Sequence, residues 1–297
     1  MHSPCLYIFT YFGLLAPNYL ISHEHREHAN LMNAIEGVYI IGGLFGPLLF
    51  SLMIQWYYWY NAYLIIAVIT VIASVLLLKT YINESEVYQE STQPKLSQTF
   101  ALLNYPLIWI FLICNVLYGM LELGFKSWLP TFNTQVFQLS EAQSVLFLSI
   151  FSGAMALSRS LVGYLQKKFS LLSIQVINLI VGFVLTLIVM ITATQKEYVI
   201  LLAFILASIG LFFGSIYPTI CSSILNLLPK YCHSAMSALI IIFGQIGMTL
   251  GVSIIGVLSQ SFSINNAFYI TLFPMGVLPI LLIIYNKLSY HFNFGES

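Results

Sequence analysis

The chain has 297 residues, of which 59% are hydrophobic and only 7% charged, and its ten Lys and Arg balance ten acidic residues. A soluble globule with so few charges would leave its surface uncovered, since ordinary domains carry roughly 25% charged residues. With no net charge and no basic patch, nucleic acid is excluded as a partner. Every acidic residue is Glu; the absence of Asp removes paired-Asp catalysis and EF-hand calcium sites.

A bilayer core needs about 20 apolar residues as a helix. Nine such stretches run along the chain, at roughly 5–22, 31–54, 57–78, 101–125, 143–165, 170–193, 198–228, 234–259 and 266–286. The expected fold is therefore an all-α, multi-pass membrane protein whose first partner is the lipid bilayer. The first span is interrupted by Thr10, Pro17 and Asn18, and it lacks the basic start and small-residue cleavage site of a signal peptide.

The only long polar segment, 79–100, divides the chain into a three-span part (1–78) and a six-span part (101–297). Lys and Arg favour cytoplasmic loops. With the C-terminus in the cytoplasm, Arg26, Lys79, Lys95, Arg159, Lys167, Lys168, Lys230 and Lys287 lie inside, and only Lys126 and Lys196 outside. The aromatic run Trp56–Tyr60 then falls at the outer interface.

Helices in lipid associate through small residues that let backbones approach. Gly42, Gly46 and Pro47 mark the second span, Gly210, Gly214 and Pro218 the seventh, and Gly244, Gly247 and Gly251 one face of the eighth. These are expected to pack helices, with Pro47 and Pro218 as candidate hinges, since transporters often place interrupted helices along their pathway.

Ionisable groups within a span cost about 2.5–3.5 kcal/mol at the bilayer centre, so they are default functional candidates. Glu122, in the outer half of the fourth span, has two readings: a substrate-binding or proton-carrying carboxylate, or a local partner of Lys126 one turn on. Glu36 reads as a cavity residue or as a side chain snorkelling to the inner surface, and it shares a face with Tyr39. Arg159, beside Lys167 and Lys168, reads as an inside topology anchor or as a gate contact to helix-end carbonyls. Asn115 and Gln245 are mid-span amides that suit a hydroxyl-bearing solute or an interhelical hydrogen bond. The loop from His23 to His28 lacks the His-Glu-x-x-His spacing of a zinc protease. The four cysteines show no zinc or disulfide pattern. No metal and no cofactor is expected, and no enzyme motif is present.

The order of these features resembles the major facilitator superfamily, whose twelve helices form two halves joined by a long cytoplasmic loop. Gly42-x-x-x-Gly46-Pro47 is similar to its fifth-helix motif, with Phe50-Ser51 in place of a trailing glycine pair. The segment Ser158–Leu165 is similar to the end of helix eight, and Tyr217-Pro218-Thr219 to helix ten. The chain then looks like helices four to twelve, lacking the first three.

Within the superfamily, Tyr118-Gly119, Glu122, Gly124 and Ser127-Trp128 are similar to the seventh helix of the fucose permease-like sugar group. Asn33 with Gly42 is similar to its fifth helix and Asn18 to its fourth. Leu14 stands where that group usually has an acidic residue. The resemblance implies secondary transport of a small polar solute, a sugar in that subgroup, with proton or sodium coupling and Glu122, Asn115, Gln245, Glu36, Asn18 and Tyr39 along the pathway. It also implies a truncated chain, for which a second polypeptide carrying the missing helices is a candidate partner. The rivals are a remnant or membrane interaction protein that transports nothing, and a superfamily exporter of another solute class.

Overall fold

The computed structural model describes residues 45, 46, 48, 50, 52, 60–78, 96–166, 168–193 and 196–292. The first predicted span and most of the second, with Asn18, Glu36, Tyr39, Gly42 and Pro47, lie outside the described residues. The chain forms two compact units, Met1–Gln93 and Pro94–Ser297.

In the first unit, the third predicted span forms helix α1 (Tyr60–Leu78). Its Thr70 hydroxyl donates back to the Ile66 carbonyl at 2.8 Å. That satisfies a polar group which would otherwise meet lipid. Gly46, just upstream, has open space where a Cβ would stand.

The second unit is wholly helical over its described residues. In chain order come α2 (Leu96–Leu102), α3 (Pro106–Gln135), α4 (Glu141–Leu165), α5 (Leu171–Thr192), α6 (Val199–Ser208), α7 (Gly210–Phe213), α8 (Ile216–Leu227), α9 (Lys230–Ser261), α10 (Ile264–Phe268) and α11 (Leu272–Ser289). Among the described residues, six stretches are long and apolar enough to cross a membrane: Pro106–Gln135, Glu141–Arg159, Leu171–Thr192, Val199–Leu227, Tyr231–Ser261 and Ile264–Ser289. They match the last six predicted spans in order.

The helix starts follow local chemistry. Pro106 opens α3 at a position where a missing N–H costs nothing. Ser140 and Gln143 form a reciprocal capping box at α4, an arrangement that contributes about 1 kcal/mol. Ser170 and Ser263 cap α5 and α10 by accepting from the backbone N–H of Ser173 and Asn266.

Two boundaries differ from the sequence reading. The start of α2 at Leu96 lies inside the segment expected to be a polar loop. The fourth span does not end near residue 125; α3 runs on through Pro130 to Gln135. Glu122 and Lys126 pair within the helix, so their charges lower hydropathy without ending the helix.

Packing rests on two seams where backbone meets backbone. At the first, α3 crosses α9. A Cβ on Gly247 would land on the Val116 carbonyl, and one on Gly251 on the Met120 carbonyl. A Cβ on Gly119 would stand 2.7 Å from the Gly244 oxygen. At the second, Gly210 and Gly214 lie on the Phe151 and Met155 carbonyls of α4. Around Phe125, the rings of Phe151, Phe268 and Phe213 centre at 5.4, 5.0 and 5.7 Å. These contacts join α3, α4, α7 and α10 into one apolar core.

Candidate functional site

The middle of the second unit concentrates the polar groups that its apolar helices bury. Glu122 sits near the centre of α3 and is 7% exposed. Its carboxylate accepts from the Lys126 ammonium at 2.6 Å. The i,i+4 spacing with Glu on the N-terminal side is the favourable order. The Tyr118 hydroxyl and the Arg159 guanidinium also act on this carboxylate. Tyr118, Glu122 and Lys126 thus form one stripe along α3, and Arg159 approaches from α4. Glu122 thus has its local partner and is also buried at mid-span.

Arg159 turns inward. Its Nε donates to the Gly214 carbonyl at 2.9 Å, and Gly214 lies near the middle of the span Val199–Leu227. This is a contact to a carbonyl at a helix end.

The seventh predicted span is broken at Ile209 and again at Gly214–Ser215. The second break precedes Pro218 because a proline disturbs the turn before it: its ring removes an N–H and crowds the carbonyl four residues back. That carbonyl belongs to Gly214. The neighbouring carbonyls also take side-chain donors. Tyr118 donates its hydroxyl to Phe213 O at 3.2 Å, and Gln175 donates Nε2 to Ser215 O at 3.4 Å. Gln175 Nε2 also reaches Thr219 Oγ1 at 3.1 Å, and Ser215 Oγ returns a bond to Gln175 Oε1 at 3.3 Å. The Tyr118 and Tyr217 rings stack across the break at 5.8 Å.

The Gln175 network was not anticipated from the sequence. Its one signal was a lone glutamine in an apolar run, where a polar side chain in lipid must find an interhelical partner.

The other sequence candidates fall elsewhere. Asn115 is fully buried at the α3–α9 seam, where Nδ2 donates to Ile240 O at 2.6 Å. The geometry is that of an interhelical tie, although the Asn115 Oδ1 lacks a hydrogen-bond partner. Gln245 is exposed on α9, apart from the Glu122 cluster. Trp128 donates to Val252 O at 3.0 Å and so ties α3 to α9 again.

Among the described residues, six membrane-length helices mark a multi-pass integral membrane protein. The sequence matches the Major Facilitator Superfamily over residues 16–252, and the chain belongs to that family. It is therefore a membrane transporter by family and not an enzyme. Among solved structures, it is similar to a bacterial homolog of the human lysosomal transporter Spinster, crystallised in an inward-facing, unoccupied conformation. That match has a TM-score of 0.58 at 14% identity and covers 93% of this chain and 73% of that one. No curated protein matches the sequence.

Proposed function

We propose that the protein is a secondary active transporter carrying a small polar solute by alternating access, with its C-terminus in the cytoplasm. The carrying observation is Glu122, a carboxylate buried at mid-span and paired with Lys126. A buried ionisable group in a membrane is retained at a cost, and proton relays and substrate sites are where such groups occur. A sugar is the solute class favoured by the resemblance of the Tyr118–Trp128 segment to the fucose permease-like group. Proton or sodium coupling would run through Glu122.

Reconstituted in proteoliposomes, the protein is expected to take up at least one member of a panel of radiolabelled sugars. Glu122→Gln is expected to abolish that uptake, or its dependence on pH, without lowering the amount of protein in the membrane. Wild-type uptake by the variant at every pH would remove Glu122 from the mechanism.

We further propose that this sequence corresponds to helices four to twelve, the remaining three helices coming from an upstream segment or a second polypeptide. The 73% coverage of the Spinster homolog supports that reading. N-terminal sequencing of the natively expressed, C-terminally tagged product tests it. An upstream start adding roughly 10 kDa, or a smaller copurifying membrane protein, is expected, since three spans with their loops need about that length. A product beginning at Met1 that purifies alone would favour the rival reading of a remnant that transports nothing.

A further inference from the structure

Pro218 supplies no N–H to the Gly214 carbonyl, and Gly214 is buried near the middle of its span. Arg159 reaches this carbonyl from α4 with Nε at 2.9 Å. The approach depends on a residue without a side chain: the Gly214 Cα lies against the Met155 carbonyl, one turn before Arg159 on the same helix. The two neighbouring carbonyls are held by donors from two further helices, Tyr118 of α3 and Gln175 of α5.

We infer that Arg159 is a positioning residue that replaces the N–H removed by Pro218, and so fixes the bend between α6 and α8 at a single angle. The inference extends the transporter reading, because this bend lies beside Glu122 and would set the shape of the pathway there. It makes a specific demand. Arg159 is needed because residue 218 is proline. Where residue 218 carries an N–H, the Gly214 carbonyl regains an intrahelical donor, and Arg159 loses its role at the bend.

The test reads the bend directly. Spin labels are placed at Ile200→Cys and Asn226→Cys, two exposed positions at opposite ends of the broken span, in a full-length protein whose native cysteines are replaced. A straight helix would hold these positions about 39 Å apart. In nanodiscs, pulsed dipolar spectroscopy is expected to give one narrow, shorter distance for the parent. Arg159→Leu is expected to roughly double the width of the distribution, because an unbonded carbonyl in an apolar interior drives the backbone to other arrangements. Pro218→Ala and Arg159→Leu/Pro218→Ala are expected to give equally narrow distributions.

A parent-like width for Arg159→Leu would overturn the inference. So would a double variant as broad as Arg159→Leu, since Arg159 would then matter for its charge and not for the Gly214 carbonyl. Should Arg159→Leu alone fail to fold, the comparison of Pro218→Ala with the double variant still decides. A folded, narrow double variant supports the role, and an unfolded or broad one overturns it. The measurement uses no solute, so a failure of the transporter reading would leave these distributions as expected.

Discussion

Lys126→Met is expected to destabilise the protein by about 3–5 kcal/mol, the usual cost of stripping one partner from a buried ion pair. Glu122 accepts from Lys126 at 2.6 Å, and both side chains are largely shielded. Without Lys126, the carboxylate would keep the Arg159 charge, which places the loss toward the lower end of that range. The informative comparison is Glu122→Gln/Lys126→Met. Removing both charges leaves no orphan ion, so the double variant is expected to be more stable than Lys126→Met alone. Unfolding of the three proteins in mixed micelles, followed by circular dichroism, checks the order. A double variant as unstable as the single one would mean that the pair is not coupled.

Gly247→Ala is expected to cost about 3 kcal/mol, the top of the usual range for overpacking. The added methyl would meet the Val116 carbonyl. A backbone atom cannot rotate away as the end of a flexible side chain can. The opposite sign is expected for Gly276→Ala in α11, where the nearest atom to the new Cβ is a Phe183 ring carbon at an ordinary 3.8 Å. There the gain in helix propensity, about 0.5–1 kcal/mol, goes unopposed. A pair of thermal melts tests this contrast within one helical unit. Equal melting temperatures would show that the α3–α9 seam relaxes more readily than its geometry implies.

Hydropathy made the last six spans legible because each must supply a lipid-facing length of apolar helix. The starts expected near 143 and 170 fall within two residues of α4 and α5, which Ser140 and Ser170 cap, whereas the end of α3 was missed because the charged pair lies within the helix. Pro218 pointed to a break, yet the break itself falls at Gly214–Ser215, since proline acts on the turn that precedes it. Glu122 stood out because a carboxylate in an apolar run is rare. For Arg159 the sequence left an anchor and a contact to helix-end carbonyls side by side. It ends the apolar stretch Glu141–Arg159, and its guanidinium reaches the Gly214 carbonyl 55 residues away. Periodicity assigns a residue to a face of its own helix; which backbone atom of another helix lies opposite depends on the crossing, and the crossing depends on glycines whose partners are distant in sequence.

The α3–α9 seam also limits how the second unit can move. Sliding one helix along the other by a single residue is a step of about 1.5 Å. That step would carry Gly247 and Gly251 off the Val116 and Met120 carbonyls, where the close approach leaves no room for a side chain. Shear, the small sliding of packed helices by which many domains close, is therefore opposed along this pair. Helices α3 and α9 are expected to travel together as one strut, with Glu122 riding on it and changing its surroundings as other helices move past.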